Sequence, residues 1–413
     1  MRHGYVVNLP SKQDLLYPTT MTDALPVRGL PQRILPACMV VPLLLFVPAA
    51  RAAFDLNMTP GVTTTSHEVY DLHMLIFWIC LVIGAVVFGI MAYAFIFHRR
   101  SRGAVAKQFH ENLRLEIAWT IVPLMILGGM AYAATRVLIQ MDDTRDAALT
   151  VKVTGYQWRW KYDYMDQGIS FFSNLATDPK EINGEAPKGE HYLREVDNPL
   201  VLPVGEKIRF ITTSNDVIHS WWVPDLGWKK DAIPGYINDA WAFIEKPGVY
   251  RGTCSELCGK GHAFMPIVVV AKAEGEFQQW VAQQKQQQAA AASEAGKTWS
   301  RADLLAKGKK IYMTICAACH QPNGKGIPNV FPDLTASKVV RGPVDDHLKV
   351  ALNGRPNTAM QAFGPQFSDL EMASVVTYER NTFGGSDKAV EPAQVKAARN
   401  ATQAKNQATD KKP

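Results

Sequence analysis

Apolar residues crowd the first third of the chain and thin out after it. Three runs stand out. Ile34 to Ala50 is 17 residues broken by Pro36, Pro42 and Pro48; Met74 to Phe97 is 24 residues without a charge; Ile117 to Thr135 is 19. A helix crosses a bilayer with about 20 apolar residues, so the second and third runs predict a transmembrane helical hairpin, placed at 65–141. Pro123 is tolerable in a span whose neighbours re-satisfy the backbone. Two buried helices of a soluble core are the alternative, and runs of this length favour it less. The first run follows Arg28 and Arg33 and ends at the small-residue stretch 50–52. A basic start, an apolar middle and a small-residue site form the order of a secretory signal peptide, while three prolines oppose a spanning helix. The signal region is set at 1–52, with Met21 as the alternative start.

Past the hairpin the period changes. From 142 to 275, short Val-, Ile-, Tyr- and Trp-rich runs alternate with Pro/Gly turns, as in "LTVKVTGYQWRWKY" and "MPIVVVAK", and predict an all-β sandwich or barrel. Residues 276–298 are a Gln/Ala-rich linker, partly helical at best. A small all-α unit is expected over 299–385, closing on a helix whose Ser368 and Glu371 form a capping box. Residues 386–413 lack periodicity and read as a disordered tail.

Charge orients this layout. The loop 98–114 holds Arg99, Arg100, Arg102, Lys107 and Arg114 against Glu111, which puts it on the cytoplasmic side. The N-terminus and everything after the second span then lie outside. The net charge is only +6 over 413 residues, with no basic block interleaved with aromatics, so nucleic acid is a poor partner.

The six cysteines divide into Cys38 and Cys80, in apolar runs, and two tight pairs, which suggest metal or cofactor chemistry. The first pair opens "CSELCGKGHAFM", with Cys254, Cys258, His262 and Met265 inside twelve residues. Thiolate, imidazole and thioether donors together suit copper or zinc; in an oxidising compartment a structural disulfide is also open. His219, upstream in "NDVIHSWWVP", supplies a second imidazole. A doubled thiolate can bridge two copper ions, each with one His and one weak axial ligand. Met265 is one axial ligand, and the carbonyl of Glu256 is the nearest candidate for the other. The second pair lies in "CAACH", the pattern of covalent haem c attachment through Cys316 and Cys319 with His320 as proximal ligand. A redox pair is the alternative.

"HSWWVPDLGWKKDAIPG" and "CSELCGKGHAFMPIVV", preceded by two spans and "TGYQWRW", resemble cytochrome c oxidase subunit II over roughly 65–272. The resemblance implies a cupredoxin-like β-domain whose binuclear copper centre is held by His219, Cys254, the Glu256 carbonyl, Cys258, His262 and Met265. It further implies a magnesium ion reached by the Glu256 side chain at the boundary with subunit I. Trp158 matches the aromatic residue through which electrons arrive, against a core tryptophan. Glu116 matches an acid at the mouth of a proton channel of subunit I, against a plain helix N-terminal acid. Tyr236 departs from the arginine many members carry. Residues 299–385 resemble class I cytochromes c: Pro332 matches the proline whose carbonyl orients the proximal histidine, and Met360 the sixth iron ligand.

Together these resemble the caa-type oxidases. The implied protein is a multidomain membrane protein of the bacterial inner membrane, its soluble domains on the periplasmic side. Its partners would be subunits I and III and a cytochrome c or bc-complex donor, within a proton-pumping complex whose oxygen chemistry lies in subunit I. A copper carrier would need no haem domain, a quinol oxidase subunit should lack the copper ligands, and a nitrous oxide reductase domain should lack the hairpin. Residues 163–197 hold eight Asp/Glu against three Lys/Arg, and 299–385 hold ten Lys/Arg against seven Asp/Glu. This contrast predicts charge-steered docking of the haem domain on the acidic segment.

Overall fold

A computed structural model of the protein describes residues 57–105, 110–294, 297–356 and 358–410. The signal expected within 1–52, with Met21 and Cys38, lies outside the described residues.

Two long helices come first, α1 (Thr64–Phe97) and α2 (Leu113–Asp142), both apolar enough to cross a membrane. Each outruns its apolar stretch. At about 1.5 Å per residue, α1 is about 50 Å long against a hydrocarbon core of about 30 Å. Most of the surplus lies at the ends that meet the β-domain. Thr63 and Ser66 form a capping box on α1, and the Thr63 hydroxyl donates to the Leu226 carbonyl at 3.0 Å. At the far end of α2, the Trp241 indole donates to the Gln140 carbonyl at 3.0 Å.

The β-domain is a sandwich of two five-stranded sheets. Its elements are β1 (Leu149–Tyr156), β2 (Arg159–Tyr164), β3 (Ile169–Ser173), the short α3 (Pro179–Ile182), β4 (Leu200–Pro203), β5 (Lys207–Ser214), β6 (His219–Val223), β7 (Trp228–Ala232), β8 (Asn238–Phe243), β9 (Gly248–Cys254) and β10 (Pro266–Lys272). One sheet runs β3-β2-β1-β5-β8 and the other β4-β10-β9-β6-β7. Trp160, Tyr162, Phe210 and Trp221 from both inner faces are fully buried between them, the two-layer solution for strands with one apolar face.

Two sequence expectations change. The linker begins as an ordered helix, α4 (Glu274–Glu294). Phe277, Trp280 and Val281 share one helical face; Phe277 and Val281 are buried in the sandwich core, and Trp280 lies 5.1 Å from the Tyr164 ring. Apolar residues at i, i+3 and i+4 outweigh the polar average of the segment. The tail expected to be disordered instead carries α10 (Pro392–Asp410). Val390 and Val395 are buried in the core of the C-terminal helical domain, and Arg399 pairs with Asp369.

That helical domain holds α5 (Arg301–Ile311), a π-helical turn (Tyr312–Cys316), α6 (Ala317–His320), α7 (Lys338–Arg341), α8 (Val344–Asn353) and α9 (Asp369–Thr382). The expected capping box of Ser368 and Glu371 starts α9. Helices α5 and α9 cross closely at Gly308, where a Cβ would meet the Ser374 carbonyl oxygen at 2.0 Å.

Candidate metal centre and haem site

Strand pairing gathers the first donor set. β6 and β9 are antiparallel with Trp221 opposite Cys254, so His219, at the start of β6, comes beside the end of β9 across 35 residues of chain. After Cys254 the backbone turns through Gly259, whose φ of 107° suits only glycine. It makes one short turn at His262–Phe264 and enters β10 directly after Met265. The twelve-residue run therefore folds back on itself with its donors inward.

The sulfurs sit side by side with a ring nitrogen at each flank. Cys254 Sγ is 3.8 Å from Cys258 Sγ, far beyond the roughly 2.05 Å of a disulfide, and both cysteines are free and buried. His219 Nδ1 lies 4.0 Å from Cys254 Sγ, and His262 Nδ1 lies 3.5 Å from Cys258 Sγ. Met265 Sδ is 3.6 Å from Cys258 Sγ, and the Glu256 carbonyl is 3.3 Å from Cys254 Sγ. One soft, buried cradle thus collects all six sequence-predicted donors. His219, Cys254 and Cys258 alone place their ligand atoms within 4.8 Å of one another.

The electrostatics suit a cation. The Cys258 hydrogen bond, then His219 and the Ser220 and Glu256 backbone, hold the Cys254 thiol well below its usual range, while the same pairing pushes Cys258 up. Two adjacent thiols that cannot both ionise alone would both ionise around metal. Burial disfavours a charged His219, yet hydrogen bonds to Asp216 and Cys254 outweigh it and raise its pKa overall. Asp216 Oδ1 lies 2.8 Å from His219 Nε2, which leaves Nδ1 for a metal. A carboxylate behind a ligating imidazole fixes its ring and tautomer. The run of sequence around the cysteines gives no hint of Asp216; the only signal is its place three residues before His219.

Two tryptophans flank the cradle differently. Trp160 is fully buried, donates to the Met265 carbonyl at 3.3 Å and meets the His219 ring edge-on at 5.8 Å. Trp158, in the β1–β2 turn after a cis Gln157–Trp158 peptide, is half-buried. Its indole donates to the Cys258 carbonyl at 3.1 Å and lies over Gly261, where a Cβ would come within 2.2 Å of the ring. The core-tryptophan role falls to Trp160, and Trp158 forms the outer wall. Glu116, in the first turn of α2, accepts the Asn112 backbone N–H at 3.3 Å, a capping contact.

In the helical domain, Cys316 ends the π-helical turn and Cys319 and His320 lie on α6. Both thiols are free. Burial raises both, most strongly Cys316, where Glu379 adds to the rise and Arg159 opposes it. His320 Nδ1 is 3.1 Å from the Pro332 carbonyl, so Nε2 remains for iron. This donor set, two free thiols beside an oriented imidazole, fits a haem c. Met360 lies on the loop after α8. That loop turns at Gly354, φ 67°, and the Arg355 N–H donates to the Met360 carbonyl at 2.8 Å.

The two candidate sites meet at a junction. Gln361, next to Met360, donates to the Gln157 carbonyl, next to Trp158, at 3.2 Å. Lys260 donates to the Ala318 carbonyl at 2.7 Å. Arg159, 4% exposed, bonds Gln366 and lies over Phe172 at 3.9 Å and Phe367 at 5.3 Å. Burial lowers its pKa to about 10. Among the described residues no ion pair joins 163–197 to the helical domain. The junction is made by hydrogen bonds of the β1–β2 turn and the cysteine loop and by one sandwiched guanidinium, to which 163–197 contributes the Phe172 ring and no ion-paired carboxylate.

Comparison with known proteins covers all three parts. The family model described as cytochrome C oxidase subunit II, periplasmic domain, matches residues 149–272, and the corresponding transmembrane domain matches 51–137. The model described as cytochrome C oxidase, cbb3-type, subunit III, matches 303–378. A probable cytochrome c oxidase subunit 2 of Rickettsia prowazekii (strain Madrid E) is 37% identical over 230 residues, 56% of this chain and 72% of the relative. Cytochrome c oxidase subunit 2 of Arabidopsis thaliana is 38% identical over 237 residues, 57% of this chain and 91% of the relative. The crystal structure of the periplasmic domain of subunit II of cytochrome oxidase of Bradyrhizobium japonicum is 41% identical. It spans 35% of this chain and 98% of that one, with a TM-score of 0.32. The matched domains imply that the chain binds copper and haem c.

Proposed function

The chain belongs to the cytochrome c oxidase subunit II family, and from that premise we propose that it is the electron relay of a caa-type oxidase. As a family member it is a membrane-anchored part of an oxidoreductase complex and partners the other oxidase subunits. In the proposed reading, electrons from a cytochrome c or bc-complex donor arrive at a haem c on Cys316 and Cys319. They pass through a two-copper centre to the haem of subunit I, where oxygen reduction drives proton pumping. The complex, with subunit III, would lie in a bacterial inner membrane, the signal region 1–52 being removed on export.

When bound, the haem and the copper ions supply the one-electron redox chemistry. The chain's own residues do the rest. Cys254 and Cys258, with His219 and His262 at the two flanks, would hold the copper, and Met265 and the Glu256 carbonyl would complete the donor set. His320, aimed by Pro332, and Met360 would bind iron. Asp216 holds His219, and burial of the cysteines excludes water. The Glu256 side chain, exposed on this chain, would reach a magnesium ion at subunit I, and Glu116 would stand near a proton channel there.

The observation that carries the reading is the junction. Gln361 beside Met360 reaches Gln157, and neighbouring Trp158 reaches the Cys258 carbonyl. A hydrogen-bonded path of a few residues therefore links the proposed haem-ligand loop to a proposed copper ligand. The test is metal analysis and EPR of the full-length chain matured with copper and haem. About two coppers per chain with one unpaired electron spread over both, and haem that survives acid–acetone extraction, is expected. A single-copper signal, zinc in its place, or extractable haem would overturn it.

A further inference from the structure

The loop between α8 and α9 carries two duties at once. It holds Met360, and through Gln361, Gln366 and Phe367 it makes the contacts with the β-domain. Such a loop needs anchoring, because its carbonyls have few regular partners. One anchor is α8 itself, whose Ala351 and Leu352 carbonyls accept from the Phe363 and Gly364 N–H groups at 3.1 and 2.9 Å. The other comes from the C-terminal helix. Arg399 spreads its guanidinium over three acceptors: the Gly364 carbonyl at 2.5 Å, the Phe367 carbonyl at 3.0 Å and the Asp369 carboxylate at 3.0 Å. Its helix is fixed in turn by buried Val390 and Val395 and by the Val390 N–H donating to the Thr377 hydroxyl at 2.9 Å.

We propose that Arg399 is a positioning residue for the haem-ligand loop, and that α10 is a splint holding Met360 and the docking contacts in register. The inference rests on Met360 being the sixth iron ligand. A planar fork with several donors can address three acceptors fixed around it, whereas a lysine ammonium on a flexible stem cannot reproduce the pattern. Phe367 links the two sides of the splint: its carbonyl accepts from Arg399 and its ring faces Arg159 of the β-domain. Loss of Arg399 should therefore loosen Met360 while leaving the attachment of haem at Cys316 and Cys319 intact.

The experiment uses the full-length chain with haem attached and compares Arg399→Ala, Arg399→Lys and Met360→Ala. The readouts are the far-red ferric charge-transfer band of methionine–iron ligation and the affinity for added imidazole, which competes with methionine. Arg399→Ala should weaken the band and raise imidazole affinity about tenfold, the scale of losing charge-assisted hydrogen bonds. Arg399→Lys should fall between it and the unaltered chain, and Met360→Ala should abolish the band. A merely structural arginine would lower the unfolding temperature and leave both readouts unmoved, and that result overturns the proposal. A band that survives Met360→Ala overturns the ligand reading itself, and the splint with it. Should Arg399→Ala not accumulate folded, Asp369→Asn removes the charged arm of the fork and is read the same way: unchanged imidazole affinity there counts against the proposal.

Discussion

Lys260, between Cys258 and His262, donates its ammonium to the carbonyl of Ala318, between Cys316 and Cys319, at 2.7 Å. Each of the two proposed metal-binding loops is thus held by the other through a side chain outside the proposed ligand sets. This contact is a charge meeting a carbonyl, and the neighbouring ones are neutral amides and the sandwiched Arg159. Replacing Lys260 by methionine keeps the stem and removes one charge-assisted hydrogen bond. It should slow haem-to-copper electron transfer about threefold to tenfold in flash-photolysis transients. Because no ion pair among the described residues spans the two charged segments, raising salt should change the rate of the unaltered chain less than about twofold. A steep fall with salt would restore the charge-steered docking expected from sequence.

Asp216 is expected to matter as much to the metal as a ligand does. One carboxylate oxygen lies 2.8 Å from His219 Nε2, and the other accepts the Gln157 N–H at 2.7 Å. It therefore fixes both a proposed copper ligand and the turn that carries Trp158. Asp216→Ala should lower copper affinity about ten- to hundredfold, measured by competition with a chromophoric chelator on the full chain. An affinity within twofold of the unaltered chain would remove Asp216 from the site.

What the sequence discloses follows from how local each feature is. Five of the six proposed copper donors lie in one twelve-residue run, and the sixth, His219, is flagged by its strand-like surroundings. The CxxCH pattern is likewise local. Arg159 and Lys260 carry no sequence signal of their own, because only the meeting of the β-domain and the helical domain buries the one and aims the other. The acidic segment 163–197 misled for the same reason: net charge over a stretch says nothing of which face it presents. In α4 and α10 the apolar signal is carried by two or three residues at helical spacing, Phe277, Trp280 and Val281 in the first and Val395 and Ala398 in the second. Polar composition averages hide such short stripes.

The crossing of α5 and α9 sets a stability prediction. A Cβ at Gly308 would lie 2.0 Å from the Ser374 carbonyl oxygen and 2.8 Å from Tyr378 Cβ, and neither backbone nor Cβ can swing aside. Gly308→Ala should therefore destabilise the haem domain by about 1–3 kcal/mol through overpacking, which lowers its melting temperature by at least about 4 °C. Gly275, in α4, has open space where its Cβ would stand, and Gly275→Ala should be neutral or slightly stabilising. Thermal unfolding of the two variants, followed at the haem absorbance and by far-UV circular dichroism, separates steric conflict from simple loss of glycine.

Acid should act on the loop that aims His320. Asp333 follows Pro332, and its carboxylate accepts both the Thr335 hydroxyl and the Thr335 N–H at 2.7 Å. The Thr335 hydroxyl first, then the Thr335 and Ala336 backbone and Lys325, hold its pKa below the ordinary value. The unfolded chain, with a carboxyl pKa of about 3.9, therefore binds more protons than the folded one in the window just below that value. The stabilisation is complete above about pH 4 and is lost as pH falls through the lower folded pKa. Asp333→Asn should be less stable than the unaltered chain at pH 7, and the difference should shrink in acid as the unaltered carboxylate is protonated. Urea unfolding of the haem-loaded chain at neutral pH and near pH 3 measures both gaps. Equal gaps at the two pH values would mean that the Asp333 charge does not hold the Pro332 loop.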